Sequence, residues 1–272
     1  MKNEILEFAL SLADTAEAAI LPVFRHCTVS FKSDGTEVTD ADKRAEEVMR
    51  EAIGKRYPKH LVLGEEFGGP QNPTNESLWM LDPIDGTTSF AAGLPIFGTL
   101  IAYLENGEPQ VGVIHFPAMG ETVYASKGSG SWIRVRGQAD AQPIRASQVT
   151  DFADAFISAG GTKPSDIQPP STGPSCKLSS LILRPRKFRF ISDCVQHALV
   201  AQGRIDAAVD PEMNPWDIAA LIPCVEEAGG VVSDLAGIRE HLSWKSSLLS
   251  SSTPRLHAQI LKVLQGFRFS LP

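Results

Sequence analysis

Residues 79–90 read Trp-Met-Leu-Asp-Pro-Ile-Asp-Gly-Thr-Thr-Ser-Phe, an apolar run that leads into two carboxylates and a small polar turn. Pro83 fixes its own φ and disfavours the helical region for the residue before it, so Asp82 is predicted to close a strand and Asp85 to lie beyond a bend. Two ionised carboxylates about 4 Å apart repel by about 4 kcal/mol at an effective dielectric of about 20, and a divalent cation removes that cost. Oxygen ligands without Cys or His favour Mg²⁺, with Mn²⁺ as a substitute.

The turn that follows has the composition of a phosphate cradle. Gly86 allows close backbone approach, and Thr87, Thr88 and Ser89 supply N–H and hydroxyl donors where a helix is predicted to start. The alternative is an Asx turn that joins a strand to a capped helix, with both aspartates solvated. The turn alone leaves both interpretations open.

Two further acidic positions lie where apolar segments begin or end. Residues 61–69, Leu-Val-Leu-Gly-Glu-Glu-Phe-Gly-Gly, predict a buried strand that ends at Glu65 before a glycine-rich turn. Asp217 follows Pro215 near the start of an apolar helix. Taken singly, Glu65 is a surface residue at a strand end, and Asp217 is a first-turn residue that the helix dipole favours.

Together these blocks resemble the Mg²⁺-dependent, lithium-sensitive inositol monophosphatase superfamily. The matching segments are Glu37-Val38-Thr39-Asp40-Ala41-Asp42, Gly64-Glu65-Glu66, Asp82-Pro83-Ile84-Asp85-Gly86-Thr87, Pro215-Trp216-Asp217 and Gly229-Gly230, which span almost the whole chain. The resemblance implies an α+β or α/β protein: a layered αβαβα sandwich of the inositol monophosphatase and fructose-1,6-bisphosphatase type. It places the metal site in the cleft between the two halves.

The resemblance also implies roles at the matching positions. The implied metal ligands are Glu65, Asp82, the Ile84 carbonyl, Asp85 and Asp217, which would hold about two or three Mg²⁺ ions. Glu65 and Thr87 would orient a metal-bound water, with Asp42 hydrogen-bonded to Thr87. From the residues alone, Asp42 forms a capping box with Thr39 at the start of the next helix, and both roles can hold.

The implied reaction is hydrolysis of a phosphate monoester by direct attack of water on phosphorus. These esters are so stable in water that their enzymes accelerate hydrolysis by up to about 10²¹. One ion lowers the pKa of its bound water and a second, about 4 Å away, stabilises the leaving oxygen, so no covalent phosphoenzyme is required. The N–H groups of Gly86 and Thr87 are expected to hold phosphate oxygens, with Asp85 and Thr88 in the same substrate-binding turn.

The substrate is suggested by residues beyond the metal motif. The segment Ser89-Phe90-Ala91-Ala92-Gly93-Leu94-Pro95, followed by Gly98-Thr99-Leu100-Ile101, is similar to the histidinol-phosphate phosphatase branch of the superfamily. The Asp193-Cys194 pair also matches that branch. The alternative for the first two segments is that they are packing residues of a helix and the next strand.

Two aspartates are candidates for selecting a cationic substrate. Asp193 and Asp210 are expected to bind its amino or imidazole group, because a cation gains more from carboxylates than a neutral polyol does. Alternatively, Asp193 is the N-cap of the helix that follows. Ser192 and Val195 depart from the branch, and Trp216 is similar to the inositol enzymes. Histidinol phosphate is thus the leading substrate, an inositol or related sugar phosphate the alternative, and a non-catalytic metal-binding relative the remote alternative.

Composition limits the binding partners and the cellular compartment that are expected. The net charge of −7 leaves no surplus of cations to displace counterions from DNA or RNA, so no nucleic-acid partner is expected. The amino end is amphipathic and contains acidic residues, unlike a signal peptide, and no apolar run approaches membrane length. Four scattered cysteines form neither a Cys-x-x-Cys site nor a disulfide framework, which favours the cytoplasm. The family resemblance suggests a homodimer.

Hydrophobic periodicity predicts the main elements. Predicted helices cover 3–26, 41–56, 195–203, 217–229 and 254–265, and predicted strands cover 61–65, 78–82, 97–105, 111–117, 153–158, 188–191 and 231–234, with 97–105 and 111–117 as an antiparallel pair. Residues 1–140 are expected to form an α+β half that carries most metal ligands. Residues 141–272 are expected to form an α/β half with Asp217 and the substrate-selecting residues. The proline-rich segment 160–186 is a lid, an interface or a disordered loop.

Overall fold

The computed structural model describes residues 2–31, 37–70, 76–160 and 178–264. The helices in these ranges are α1 (Lys2–Ile20), α2 (Asp40–Arg56), α3 (Thr87–Ala91), α4 (Leu178–Leu183), α5 (Asp193–Ala201), α6 (Pro215–Ala219), α7 (Leu221–Glu227) and α8 (Pro254–Leu264). The strands are β1 (Val29–Phe31), β2 (Glu37–Thr39), β3 (Leu61–Gly64), β4 (Ser77–Asp85), β5 (Gly98–Glu105), β6 (Glu108–Phe116), β7 (Glu121–Ser126), β8 (Ser131–Val135), β9 (Gln142–Ile144), β10 (Phe156–Ala159), β11 (Lys187–Arg189), β12 (Ala207–Asp210), β13 (Val231–Ser233) and β14 (Leu248–Ser251).

These strands form two large sheets and one small hairpin-like pair. The seven-stranded sheet has the order β3-β4-β5-β6-β7-β8-β9, and the five-stranded sheet has the order β11-β10-β12-β14-β13. β3 is parallel to β4, and the remaining neighbours in the first sheet are antiparallel. In the second sheet, β10 is parallel to β11 and β12, and β14 is antiparallel to both of its neighbours. The predicted antiparallel pair, now β5 and β6, is confirmed.

Helices separate and cover the two sheets. α1 and α2 pack on the outer face of the seven-stranded sheet, around fully buried Met49 and Trp79. α5, α6 and α7 fill the layer between the sheets. α4 and α8 cover the far face of the five-stranded sheet, where Leu256 and Ile260 are buried. The order of layers is therefore αβαβα, which confirms the predicted architecture.

Prolines shorten two of the predicted helices. The α-helix predicted to reach residue 26 ends at Ile20, and Pro22 lies in a 3₁₀ turn over Leu21–Val23. The helix predicted over 217–229 is interrupted at Ala220, between α6 and α7. Pro223 explains the break, because its ring nitrogen has no hydrogen to donate to the carbonyl four residues earlier. Both predictions were wrong in extent.

The boundaries of other predictions differ less. β10 starts at Phe156 rather than 153, because residues 152–154 form a 3₁₀ turn. β9 joins the seven-stranded sheet beyond residue 140, and the predicted division of the chain there stays a prediction. Residues 161–177 of the proline-rich segment and the last residue of the predicted 254–265 helix lie outside the described residues. In the described part of the chain, no helix is long and apolar enough to cross a membrane.

Candidate metal and phosphate site

A bulge in strand β4 shapes the first part of the site. Asp82 pairs with Leu100 of β5 and Asp85 pairs with Gly98, so three steps along β4 match two steps along β5. Such an extra residue bends a strand and re-aims its side chains. Thr99 donates its hydroxyl to the Pro83 carbonyl at 2.8 Å within the bulge. The strand therefore continues to Asp85 through a bulge, and the prediction that it closes at Asp82 was wrong.

Three carboxylates converge at this bulge. Asp82, Asp85 and Asp217 each offer an oxygen that lies within 4.8 Å of the other two. Asp82 is only 2% exposed, and its Oδ1 has no hydrogen-bond partner within the described chain. Burial raises the pKa of Asp82 well above its usual range, and the neighbouring Glu65, Asp85 and Asp217 raise it further. A buried acceptor without a donor, among carboxylates that oppose each other's ionisation, fits the oxygen ligand set of a divalent cation.

Asp217 is fixed by the start of helix α6. Its side chain accepts the Asn214 N–H at 2.7 Å, and the two residues form a capping box with Pro215 in the first turn. Burial raises the pKa of Asp217 to about 7, against the lowering effect of the Asn214 backbone hydrogen bond. The predicted first-turn position of Asp217 is confirmed, and the cap holds the same carboxylate that joins the acidic cluster.

Helix α5 contacts the cluster through its first turn. Cys194 N–H donates to Asp85 Oδ2 at 2.5 Å, which opposes the rise in the Asp85 pKa caused by burial and by Asp193 and Asp217. Ser192 is the N-cap residue, so the prediction that Asp193 caps this helix was wrong. Asp193 instead has φ +56°, in the left-handed region that few residues other than glycine and Asn or Asp adopt.

The turn after Asp85 brings Asp193 close to the predicted phosphate cradle. Gly86 has φ +89°, and a Cβ at that position would lie 2.8 Å from Asp193 Oδ2. Only glycine fits both the conformation and the space. Thr87 then opens the short helix α3, and Thr88 is exposed. Asp193 thus lies directly beside the residues expected to hold phosphate.

Thr87 connects this turn to helix α2. Its Oγ1 lies 3.1 Å from the Ile84 carbonyl oxygen and 3.4 Å from Asp42 Oδ1. Asp42 Oδ2 accepts the Thr39 N–H at 2.8 Å, which confirms the predicted capping box. Burial raises the pKa of Asp42 to about 6, although its hydrogen bonds with Thr39 oppose the rise. The arrangement lets Asp42 cap α2 and contact Thr87 at once.

Glu65 lies outside the three-carboxylate group, so its predicted role as a metal ligand stays a prediction. Its charge still raises the pKa of both Asp82 and Asp217. The turn that carries Glu65 is held by buried Glu46, which accepts the N–H groups of Glu66 at 2.7 Å and Phe67 at 3.2 Å.

Sequence reasoning missed Glu46, although a signal was present. The buried stripe of α2 includes Ala45, Glu46, Met49 and Ile53. A charged residue on the apolar face of a helix needs a buried partner, and Glu46 has the ion pair with Arg50 at 2.7 Å as well as the two N–H donors. Its position in the stripe therefore indicates a structural role next to Glu65.

Asp210 ends strand β12 beside the same cluster. Burial raises its pKa to about 8, and the charges of Asp193 and Asp217 contribute to the rise. Gln196 of α5, which sequence reasoning also missed, donates its Nε2 to Asp210 Oδ2 at 3.1 Å. The two predicted substrate-selecting residues, Asp193 and Asp210, therefore lie near each other and near the carboxylates of the predicted metal site.

Comparison with known proteins shows the family to which this chain belongs. The family model described as the inositol monophosphatase family matches residues 1–267. The chain therefore belongs to the inositol monophosphatase family, whose members are metal-dependent, and it is a phosphoric monoester hydrolase. The family resemblance and the enzyme class predicted from the sequence are confirmed.

Relatives within this family carry different names. A histidinol-phosphatase of Chlorobaculum parvum is 40% identical over 235 residues, covering 85% of this chain and 86% of the relative. The Nus factor SuhB of Pasteurella multocida is 31% identical over 268 residues, covering 97% and 96%. The solved structure of a Thermotoga maritima IMPase has a TM-score of 0.83 and 32% identity, covering 96% of this chain and 97% of that one. Family membership alone does not select one substrate among these names.

Proposed function

We propose that the protein hydrolyses histidinol phosphate to histidinol and phosphate with Mg²⁺ as its cofactor. The single observation that carries the choice of substrate is the pair Asp193 and Asp210 beside the predicted phosphate cradle. Neither aspartate forms an ion pair with a Lys, Arg or His of the described residues. Carboxylates without a cationic partner favour a substrate that brings its own positive charge.

The metal would be held by oxygen atoms of the chain. Asp82, Asp85 and Asp217 are the proposed carboxylate ligands, joined by the Ile84 carbonyl and Glu65. About two or three Mg²⁺ ions are expected, with Mn²⁺ as a substitute, and when bound they supply activation of water and neutralisation of phosphate charge.

The remaining roles fall to side chains around the turn. Thr87 and Glu65 are proposed to orient the attacking water, and Asp42 to accept a hydrogen bond from Thr87. The N–H groups of Gly86 and Thr87 would hold phosphate oxygens, with Asp85 and Thr88 completing the turn. The contacts of the Thr87 hydroxyl with the Ile84 carbonyl and Asp42 support this proposal, because they fix the direction of that hydroxyl.

A second candidate is hydrolysis of an inositol or related sugar phosphate. Trp216 before Asp217 favours it, because this pair is similar to the inositol enzymes. We further propose a cytoplasmic homodimer without a nucleic-acid partner. A gel shift with RNA at physiological salt would overturn the part of this proposal that excludes a nucleic-acid partner.

The substrate is tested by comparing kcat/KM for histidinol phosphate and inositol 1-phosphate at saturating Mg²⁺. A preference for histidinol phosphate is expected, and an equal or reversed preference would contradict the proposal. Asp193→Asn should raise KM more for the cationic ester than for the polyol ester. Exposed Asp140→Asn is the matched control, because it removes the same charge far from the cradle and should leave the ratio unchanged.

A further inference from the structure

We propose that Gln196 is a positioning residue that holds Asp210 for the non-phosphate part of the substrate and so contributes to specificity. The inference rests on the proposed function, because it concerns the group that Asp193 and Asp210 would receive. Sequence patterns gave Gln196 no role, since it lies within an apolar helix beyond the metal motif.

The contact between Gln196 and Asp210 leaves two acceptors unused. Gln196 Nε2 donates to Asp210 Oδ2 at 3.1 Å, and the side chains are 0% and 4% exposed. The other oxygen of each group, Gln196 Oε1 and Asp210 Oδ1, is buried without a hydrogen-bond partner among the described residues. Buried polar atoms are rarely left unpaired. Two unpaired acceptors within one hydrogen-bonded pair therefore indicate a place for a ligand that brings donors.

Gly160, which directly follows β10, makes room for this pair. A Cβ at residue 160 would lie 2.8 Å from Gln196 Nε2 and 3.3 Å from Asp210 Oδ2. It would also lie 3.1 Å from the Cα of Ser192, which precedes Asp193. Any larger residue would push the amide away from the carboxylate. The pair is thus assembled by three elements, β10, α5 and β12, and it adjoins Asp193.

The chemistry of the pair indicates the class of ligand group. Asp193 lies close enough to Asp210 for its charge to raise the Asp210 pKa, and two neighbouring carboxylates favour a cationic group over a neutral one. An ammonium offers three N–H donors and an imidazolium two, whereas a hydroxyl offers one. A group with at least two donors can satisfy both Gln196 Oε1 and Asp210 Oδ1. By fixing Oδ2, the amide keeps Oδ1 in one orientation for that group.

The test uses Gln196→Met, which keeps the length of the side chain but removes the amide. KM and kcat are measured for histidinol phosphate, inositol 1-phosphate and phenyl phosphate, whose leaving group lacks donors. The variant should raise KM for histidinol phosphate about 10-fold more than KM for phenyl phosphate, as expected for loss of a buried hydrogen bond. Gln202→Met, at the other end of α5, is the matched control and should leave this ratio at the wild-type value.

Gly160→Ala provides an independent variant from a different element. It should change the KM ratio in the same direction as Gln196→Met, and the double variant should change it no further, because both act on one hydrogen-bonded pair. An unchanged ratio in both single variants, or an equal rise in KM for all three esters, would overturn the role of Gln196. Additive effects in the double variant would overturn it as well.

If the proposed substrate is wrong, the same measurements give a different result. If the wild-type enzyme prefers inositol 1-phosphate, the histidinol phosphate proposal fails. The role of Gln196 is then read from the KM of the preferred ester relative to phenyl phosphate in the same variants. A preference for histidinol phosphate with no response to Gln196→Met or Gly160→Ala leaves the proposed function standing and removes this inference alone.

Discussion

Replacing Asp82 with asparagine is expected to stabilise the metal-free protein while removing its activity. Asp82 lies within 4.8 Å of carboxylate oxygens of both Asp85 and Asp217. At that distance and an effective dielectric of about 20, each ionised pair repels by about 3.5 kcal/mol. The raised pKa of Asp82 means that protonation already relieves part of this repulsion. About 2 kcal/mol should therefore be gained at pH 8, which for a chain of this size raises Tm by about 4–8 °C.

Thermal unfolding followed by circular dichroism measures both consequences. In EDTA at pH 8, Asp82→Asn should unfold at a higher temperature than the wild type. Mg²⁺ titrated into the wild type should then raise its Tm, because an ion that binds only the folded state stabilises it by mass action. The variant should respond less to Mg²⁺, since it has lost a proposed ligand, and its phosphatase activity should be lost.

Asp206→Asn is the matched control, because it makes the same change at a buried aspartate with partners. Asp206 accepts the Phe156 N–H at 2.7 Å and the Ser147 hydroxyl at 2.5 Å. Loss of these charge-assisted hydrogen bonds should lower Tm rather than raise it. A Tm of Asp82→Asn in EDTA at or below that of the wild type would refute the electrostatic reasoning. An undiminished Mg²⁺ shift in that variant would refute the assignment of Asp82 as a ligand.

Three further predictions concern catalysis, positioning and acid stability. Asp85→Asn should lower kcat by more than about 100-fold, because even the outer partners of metal ligands contribute about 10–100-fold; retention of half the wild-type rate would contradict its role. Glu46→Gln should lower kcat about 10-fold through the turn that carries Glu65, and a wild-type kcat would show that this turn needs no anchor. Burial lowers the pKa of His257 to about 4, so the folded state resists protonation of this side chain. The free energy of unfolding should therefore fall as the pH drops from about 6.5 toward 4, by up to about 1.4 kcal/mol per pH unit. Urea unfolding at pH 7 and pH 4.5 should show that the free energy of unfolding falls less in His257→Gln than in the wild type. Equal falls in the two proteins would contradict this prediction.

The metal motif could be predicted because its information is local. Asp82, Pro83, Ile84 and Asp85 are adjacent in the sequence, and the restriction that proline imposes acts on its immediate neighbour. The capping box of Thr39 and Asp42 is local in the same way. Even so, the bulge that continues β4 through Asp85 depends on pairing with β5, and the sequence of β4 alone does not specify it.

Several features that the sequence did not indicate depend on contacts between distant residues. The N–H of Cys194 reaches Asp85 across 109 positions, and Gln196 reaches Asp210 across 14. Strands β12 and β14 were missed because both are buried throughout and show no alternation of polar and apolar residues. In β14, buried Ser250 is hydrogen-bonded to His197 of α5 at 2.8 Å. This contact forms only when the helix packs on the strand, so the sequence of β14 does not reveal it.

Helix α6 supplies the third carboxylate from far along the chain, and this has a consequence for biosynthesis. Asp217 emerges from the ribosome 132 residues after Asp85. At about 5–20 residues per second, that interval lasts about 7–26 s. The nascent polypeptide can therefore form its first sheet before the Asp217 carboxylate joins the acidic cluster. The repulsion that Asp217 adds to the ion-binding centre then acts on a sheet that has already folded.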